Sequence, residues 1–287
     1  MFGVLNINKP RGMTSHDVVG VLRKILNTKQ IGHTGTLDPF AEGVLPICIG
    51  KATRLIEYFD NNKEYLATVQ FGSSTDTYDL EGKVLKTSSK KVKSEEIEPA
   101  LKDFEGEIEQ TPPIYSAIKL GGKKLYEYAR KGETVTVPKR KVTIYNIKLI
   151  NFDETNQQAE ILISCSQGTY IRSIANDLGE NLGCYAHLIK LVRTQSGKFR
   201  IETAINLDDE NIKDKIQNPL SVISLEKITV DEAQHKRISH GMPVRINGKE
   251  LKSGEFLILV YNNSIDAIGV YNDGEIKVKK VFIWKRY

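Results

Sequence analysis

From about residue 228 the chain changes its pattern, and that change constrains the fold more than any other feature. Short apolar stretches (PVRI, GEFLILV, DAIGVY, EIKVKKVF) alternate with Asn-Gly, Ser-Gly, Asn-Asn and Asp-Gly pairs. Such pairs favour tight hairpins, and a run of this kind suits a small β-barrel. Everything before it mixes helix-period and strand-period segments. The chain therefore divides into an α+β module and a compact β module, expected at 1–225 and 226–287. The 287 residues agree, since roughly 150 per domain gives two.

Composition narrows the class. At 40% hydrophobic and 27% charged the chain reads as soluble and globular. Three widely spaced cysteines without a CxxC exclude a disulfide framework and a zinc ribbon. No apolar run approaches the ~18 residues of a membrane span, and the opening MFGVLNINKPRG lacks a signal-peptide pattern. The expectation is a cytoplasmic protein with no membrane contact.

Residues 2–8 read as a strand. Thr14 and Ser15 are cap candidates, and Thr14-x-x-Asp17 resembles a capping box before a helix that buries Val18, Leu22, Ile25 and Leu26. The glycine-rich GHTGTLDPFAEGVL separates that helix from the strand LPICI. Residues 51–60 read as helical, 63–72 as a strand, 94–104 as an acidic helix, and 142–150 and 159–166 as paired strands. A further helix follows, with Thr169 as its cap candidate and Ile171, Ile174, Ala175 and Leu178 as its buried stripe. A polar passage, NLDDENIKDKIQNP, leads to the β module.

Known chemistry motifs are absent. There is no GxxxxGK[ST], no GxGxxG after a strand, no HExxH and no GxSxG, and no histidine pairs with a cysteine at metal spacing. No cofactor and no metal are expected. Two features remain. In the loop around Asp38, Gly32, Gly35 and Gly43 permit tight folding, Pro39 biases Asp38 toward extended backbone, and Thr34 and Thr36 offer hydroxyls. A carboxylate on a rigid turn suits nucleophilic or general-base work; Asp-Pro equally suits a turn in which the carboxylate only caps the backbone. The second feature is residues 119–141, where eight basic residues face only Glu127 and Glu133. That +6 segment, interleaved with Tyr126 and Tyr128, is either a polyanion contact or a solvated, turn-rich loop.

GHTGTLDPFAEGVLPICIGKATRL, KEYLATVQFG and GTYIRSIANDLG resemble, in order and spacing, the three motifs of the TruB family of pseudouridine synthases. The opening LNINKPRGMTSHDVV is similar to that family's, the resemblance runs from about residue 2 to 200, and the C-terminal piece resembles a short PUA domain. The resemblance implies a catalytic domain with a mixed, mainly antiparallel sheet and flanking helices, followed by a small PUA-like barrel. It implies cofactor-free isomerisation of uridine 55 in the tRNA T loop to pseudouridine, after base flipping.

Residue by residue, Asp38 matches the family's indispensable acid, Arg172 the arginine that pairs with it, and Tyr65 the tyrosine that stacks on the target base. Lys63 matches a supporting lysine, Tyr170 a residue near the base pocket, and His33 the histidine that fills the space vacated in the RNA. Alone, Arg172 would read as a surface helix arginine, Tyr65 as a core tyrosine and His33 as a hydrogen-bonded loop residue. The basic segment, with Lys123, Lys124, Arg130 and Lys131, corresponds to the family's thumb over the T arm. The resemblance also covers guide-RNA-dependent relatives of the dyskerin type. The short chain, the lack of basic tails and the thumb-like segment favour a stand-alone bacterial form. It is expected to act on the tRNA T arm as a monomer, without guide RNA or protein partner.

Overall fold

Alternation builds the larger sheet. Strand Lys63–Phe71 buries every second residue, and Gln158–Cys165 does the same, so each turns one face to the core. The computed structural model describes residues 1–133, 135–246 and 250–283, and the side chain of Arg130, one of the basic candidates, lies outside what is described. The sheet has nine strands. Seven lie on one path in the order Gly3–Lys9, Glu42–Ile49, Ala186–Ser196, Lys63–Phe71, Gln158–Cys165, Arg140–Asp153 and Gly106–Gln110. One pair on this path is parallel, Val192 with Glu42 and Arg193 with Gly43, and every other is antiparallel. This is the mixed, mainly antiparallel sheet that the resemblance implies.

Helices Ser94–Lys102 and Ile171–Asn181 cover it through Ile97, Leu101, Ile174 and Leu178, packed on Ala67 and Ile161. Helix Ser15–Ile25 buries Val18, Val19 and Leu22 against Leu5, Ile7, Leu45 and Ile47. Its capping box forms as the spacing predicts: the Thr14 amide donates to Asp17 Oδ2 (2.8 Å) and the Asp17 amide to Thr14 Oγ1 (3.1 Å). Three local expectations change. Ile25 is 37% exposed, because the buried stripe is centred on Leu22 and leaves it at the margin. Residues Gly50–Tyr58 form a 3-10 helix. Thr169 does not cap Ile171–Asn181; the cap residue is Tyr170, and the Thr169 hydroxyl donates to the Ser166 carbonyl (2.9 Å).

The passage 204–217 is more than a linker. The Ile205 amide donates to Asn6 O (2.9 Å), and Val4 and Gln217 exchange backbone bonds of 3.0 and 2.9 Å, so the passage lines the outer side of the first strand. Ile205, Ile212 and Ile216 join the apolar cluster there. A second, five-stranded sheet begins at Glu226 and carries a helix, Glu232–Ser239, that the turn-rich pattern does not reveal. The two sheets share an apolar seam in which Val4, Leu55 and Phe199 pack with Ile258, Ile268 and Phe282. Arg54 Nη1 donates to the Val281 carbonyl (2.8 Å) across that seam, and Lys280 pairs with Glu57.

The parallel pair needs Gly43. Its φ is +103°, and a Cβ there would stand 2.4 Å from the Arg193 carbonyl oxygen. Gly43→Ala is expected to lower unfolding stability by about 2 kcal/mol or more, measured by urea titration. Gly20→Ala, in the helix Ser15–Ile25 with open space around its Cβ position, is expected to be neutral or stabilising by up to ~1 kcal/mol.

Candidate active site

The loop between strands Ile31–His33 and Glu42–Ile49 is pinned on both sides of Asp38. The Arg193 guanidinium donates to the carbonyls of Val44 (2.6 Å), Gly35 (3.1 Å) and Thr36 (3.3 Å). The Leu37 amide donates to Ser15 Oγ (2.9 Å). The Pro39 carbonyl accepts from the Gly12 amide (2.8 Å) and from Lys9 Nζ (3.4 Å). The backbone is thereby fixed, and it holds one acidic side chain over a cavity of about 510 Å³.

That side chain is Asp38. Its carboxylate is 36% exposed, and Oδ2 lies 3.0 Å from Nε of Arg172, which is 5% exposed. Nε makes no aligned hydrogen bond, so the contact is charge pairing that leaves the carboxylate oxygens available. No backbone amide among the described residues donates to them, so the capping-turn alternative is not realised. Burial raises the Asp38 carboxyl above the ordinary range; Arg172 opposes that rise and Asp79 adds to it.

Arg172 is held from behind. Nη1 donates to Thr77 O (3.1 Å) and to Asp79 Oδ2 (3.3 Å), and Nη2 to Tyr115 O (3.1 Å). Asp79, itself buried, accepts on Oδ1 from Thr77 Oγ1 (2.5 Å) and the Glu81 amide (3.0 Å). It sits in a turn, next to Tyr78 at φ +63°, between the strands Ser73–Thr75 and Val84–Thr87. One guanidinium therefore lies between two carboxylates, with the inner one fixing its position.

The cavity floor comes from strand register. Tyr65 pairs with Arg193, and Lys63 with both Ser196 and Cys165, so Lys63, Tyr65 and Arg193 share a face. Lys63 Nζ donates to Ser196 Oγ (2.7 Å), and its ammonium is pulled down to about 8 by burial and secondarily by Arg193. Burial pushes the Tyr65 phenol up while Arg193 opposes. Tyr170 also lines the cavity; Gln110 grips its backbone at both ends, accepting from its amide (2.7 Å) and donating to its carbonyl (3.0 Å).

Asp38, Lys63, Tyr65, Tyr170 and Arg172 thus come together around one cavity. His33 does not line it; half-buried on its strand, it keeps an Nδ1 without a hydrogen-bond partner, and burial lowers its pKa. The basic segment forms an arm. Lys119–Leu120 and Lys123–Lys124 make a hairpin over Gly121 and Gly122, followed by helix Leu125–Arg130. Lys123 and Lys124 stand 5.7 and 5.4 Å from the rings of Tyr128 and Tyr126. Lys131 is exposed beyond the helix, and residues Ser116–Lys119 at the root of the arm border the cavity. Sequence reasoning missed Asp79, Arg193, Ser15, Lys9 and Gln110. Arg193 alone carried a signal, an arginine directly after the apolar run LIKLV, since such a residue is buried only with partners.

The chain is similar to known proteins along its whole length. A family profile described as TruB family pseudouridylate synthase, N-terminal domain, matches residues 23–171, and one described as tRNA pseudouridylate synthase B C-terminal domain matches 172–217. A Clostridium kluyveri protein named tRNA pseudouridine synthase B is 41% identical over 99% of this chain and 100% of its own length. A Staphylococcus aureus protein of the same name is 43% identical, covering 98% and 99%. Among solved structures, a chain of an H/ACA ribonucleoprotein bound to a substrate RNA containing 2′-deoxyuridine superposes with a TM-score of 0.77 at 27% identity, covering 99% of this chain and 86% of that one. An archaeal box H/ACA small ribonucleoprotein gives 0.73 at 27% identity, covering 98% and 86%.

The electrostatics of the trio can be tested on the free protein. Arg172→Met is expected to raise the Asp38 carboxyl further, and Asp79→Asn to lower it, read by carboxyl-carbon NMR titration. A carboxyl whose folded pKa is raised costs stability that builds as pH climbs from the unfolded toward the folded value and is complete above it. Asp38→Asn is therefore expected to melt no lower than the parent at neutral pH, and to lose that advantage in acid.

Proposed function

The chain belongs to the TruB family of pseudouridylate synthases, and we propose that it isomerises uridine 55 of tRNA to pseudouridine, acting alone on the T arm. The observation that carries the proposal is the Asp38 carboxylate, paired with a buried arginine yet open to a cavity that takes about one nucleotide. The reaction breaks the N1–C1′ bond, turns the uracil and joins C5 to C1′. Asp38 serves it either as nucleophile at C1′ or as base toward the 2′ hydrogen, and both roles need the ionised form that Arg172 favours. Arg172 keeps its place through Asp79 while charge on Asp38 changes. Tyr65 stacks on the base, and Tyr170 borders it.

The target base is stacked inside the T loop, and extruding it costs a few kcal/mol. The arm carrying Lys123, Lys124, Arg130 and Lys131 supplies phosphate contacts that offset this cost, and His33 fills the space left in the loop. A guide-RNA mode is the second reading, favoured by the likeness to H/ACA chains. The full-length similarity to proteins named tRNA pseudouridine synthase B supports stand-alone action instead.

The deciding experiment is pseudouridine mapping on an unmodified tRNA transcript incubated with the purified protein alone. Modification at position 55 is expected; none without added guide RNA and partners would support the second reading. Asp38→Asn is expected to cut product formation by at least ~10²–10⁴-fold with tRNA affinity unchanged. Replacing Lys123, Lys124 and Lys131 with alanine is expected to flatten the salt dependence of binding by about 0.7–0.9 per lost phosphate contact, measured by filter binding over a salt series.

A further inference from the structure

Three cations are buried beneath the catalytic loop: Lys9 (0% exposed), Lys63 (5%) and Arg193 (1%). Their hydrogen bonds separate them. Lys9 places its ammonium against three carbonyls, those of Pro10 (2.9 Å), Met13 (2.6 Å) and Pro39 (3.4 Å), which satisfies all three donors. Arg193 spends its fork on Gly35, Thr36 and Val44. Lys63 has a single acceptor among the described residues, Ser196 Oγ, although it too has three donors. Unlike Lys9, it borders the cavity.

A buried ammonium with unmet donors is costly unless a ligand meets them. The cavity as a whole calls for negative charge: Lys63, Lys119, Arg140, Arg172 and Arg193 line it against one acid, Asp38, and that acid already has Arg172. Lys63 shares its sheet face with Tyr65, the residue assigned to the base.

We propose that Lys63 stabilises the detached uracil as its anion, donating to a carbonyl oxygen of the base while the glycosidic bond is open. The proposal rests on the pseudouridine reading above and names a catalytic group for its central step. When N1–C1′ breaks, the electron pair stays on the base, and the charge spreads over N1, O2 and O4. It disappears when C5 bonds to C1′, the C5 proton leaves and N1 takes up a proton, so the isomerisation balances without any added reagent. A fixed donor aimed at charge that develops only in the transition state lowers the barrier more than it tightens binding. The groups facing Lys63 are Arg193, Asp60, Cys165 and Ser196; the lowered proton affinity of its ammonium agrees with a donor buried beside a second cation.

The test is single-turnover pseudouridine formation by Lys63→Met on an unmodified tRNA transcript. The rate is expected to fall by roughly 10²-fold with unchanged tRNA affinity and no loss of melting temperature. On a transcript with 5-fluorouridine at the target, whose base is the better-stabilised anion, the gap between variant and parent in breaking the N-glycosidic bond is expected to narrow about tenfold. An unchanged rate, or an equal gap on both substrates, overturns the proposal. Should Lys63→Met not fold, Lys63→Arg decides: it is expected to remain active and to lose the parent's decline in rate above about pH 8. Retention of that decline overturns the assignment, since Lys9 would then be the group titrating. A parent protein inactive on both transcripts refutes the functional reading itself, a result distinct from either outcome.

Discussion

The structure around Asp38 depends on one constraint, that buried charge must be met by directed partners. Arg193 cannot be solvated where it lies, so its N–H groups turn to the carbonyls of Gly35, Thr36 and Val44. Satisfying the cation and immobilising the loop are the same event. Lys9 repeats the device at Pro39, and Ser15 does so with a neutral group at Leu37. The donors beneath the loop are too costly to leave unpaired, and Leu37, Phe40 and Ala41 add apolar anchorage in the core.

Arg172 applies the same constraint to a side chain. Asp79 and two carbonyls take its Nη groups and leave Nε beside Asp38. Because that last contact is unaligned, Arg172 favours the charged carboxylate without tying it to a single direction. The two carboxylates thus divide the work: the buried one holds the arginine, and the partly exposed one faces the cavity. The Tyr115 carbonyl belongs to the same set and lies at the root of the basic arm, so the arm and the catalytic pair share a fixed point.

Much of this was legible from the chain. The capping box at Thr14 and Asp17 obeyed a local rule, and so did the alternating strand at Lys63–Phe71, because cap and alternation depend only on neighbours in sequence. The strand Ala186–Ser196 went unread. Buried without a break over Ala186–Leu188 and shifted in register at Leu188/Lys190 and Arg193/Gln195, it alternates only briefly and mixes Lys190 and Arg193 into an apolar run. Asp79 was hidden for another reason: in STDTYDLEG it resembles any polar turn, and only the fold brings it 93 positions across the chain to Arg172. The polar passage NLDDENIKDKIQNP gave no structural signal because its apolar residues are sparse, yet Leu207, Ile212 and Ile216 join the apolar cluster around the first strand.

By itself the sequence determined the helix and strand identities with strong local periodicity and, through its motifs, the family; it also picked out Asp38, Lys63, Tyr65 and Arg172, which the fold brings to one cavity. Only the tertiary structure decided which buried cations are satisfied and which are not, which carboxylate is buried behind Arg172 and which one borders the cavity, and how Tyr65, Arg193 and Gly43 fall into one register. Composition and spacing carry local energetics, whereas the cost of a buried donor depends on what the rest of the fold places within 3 Å of it.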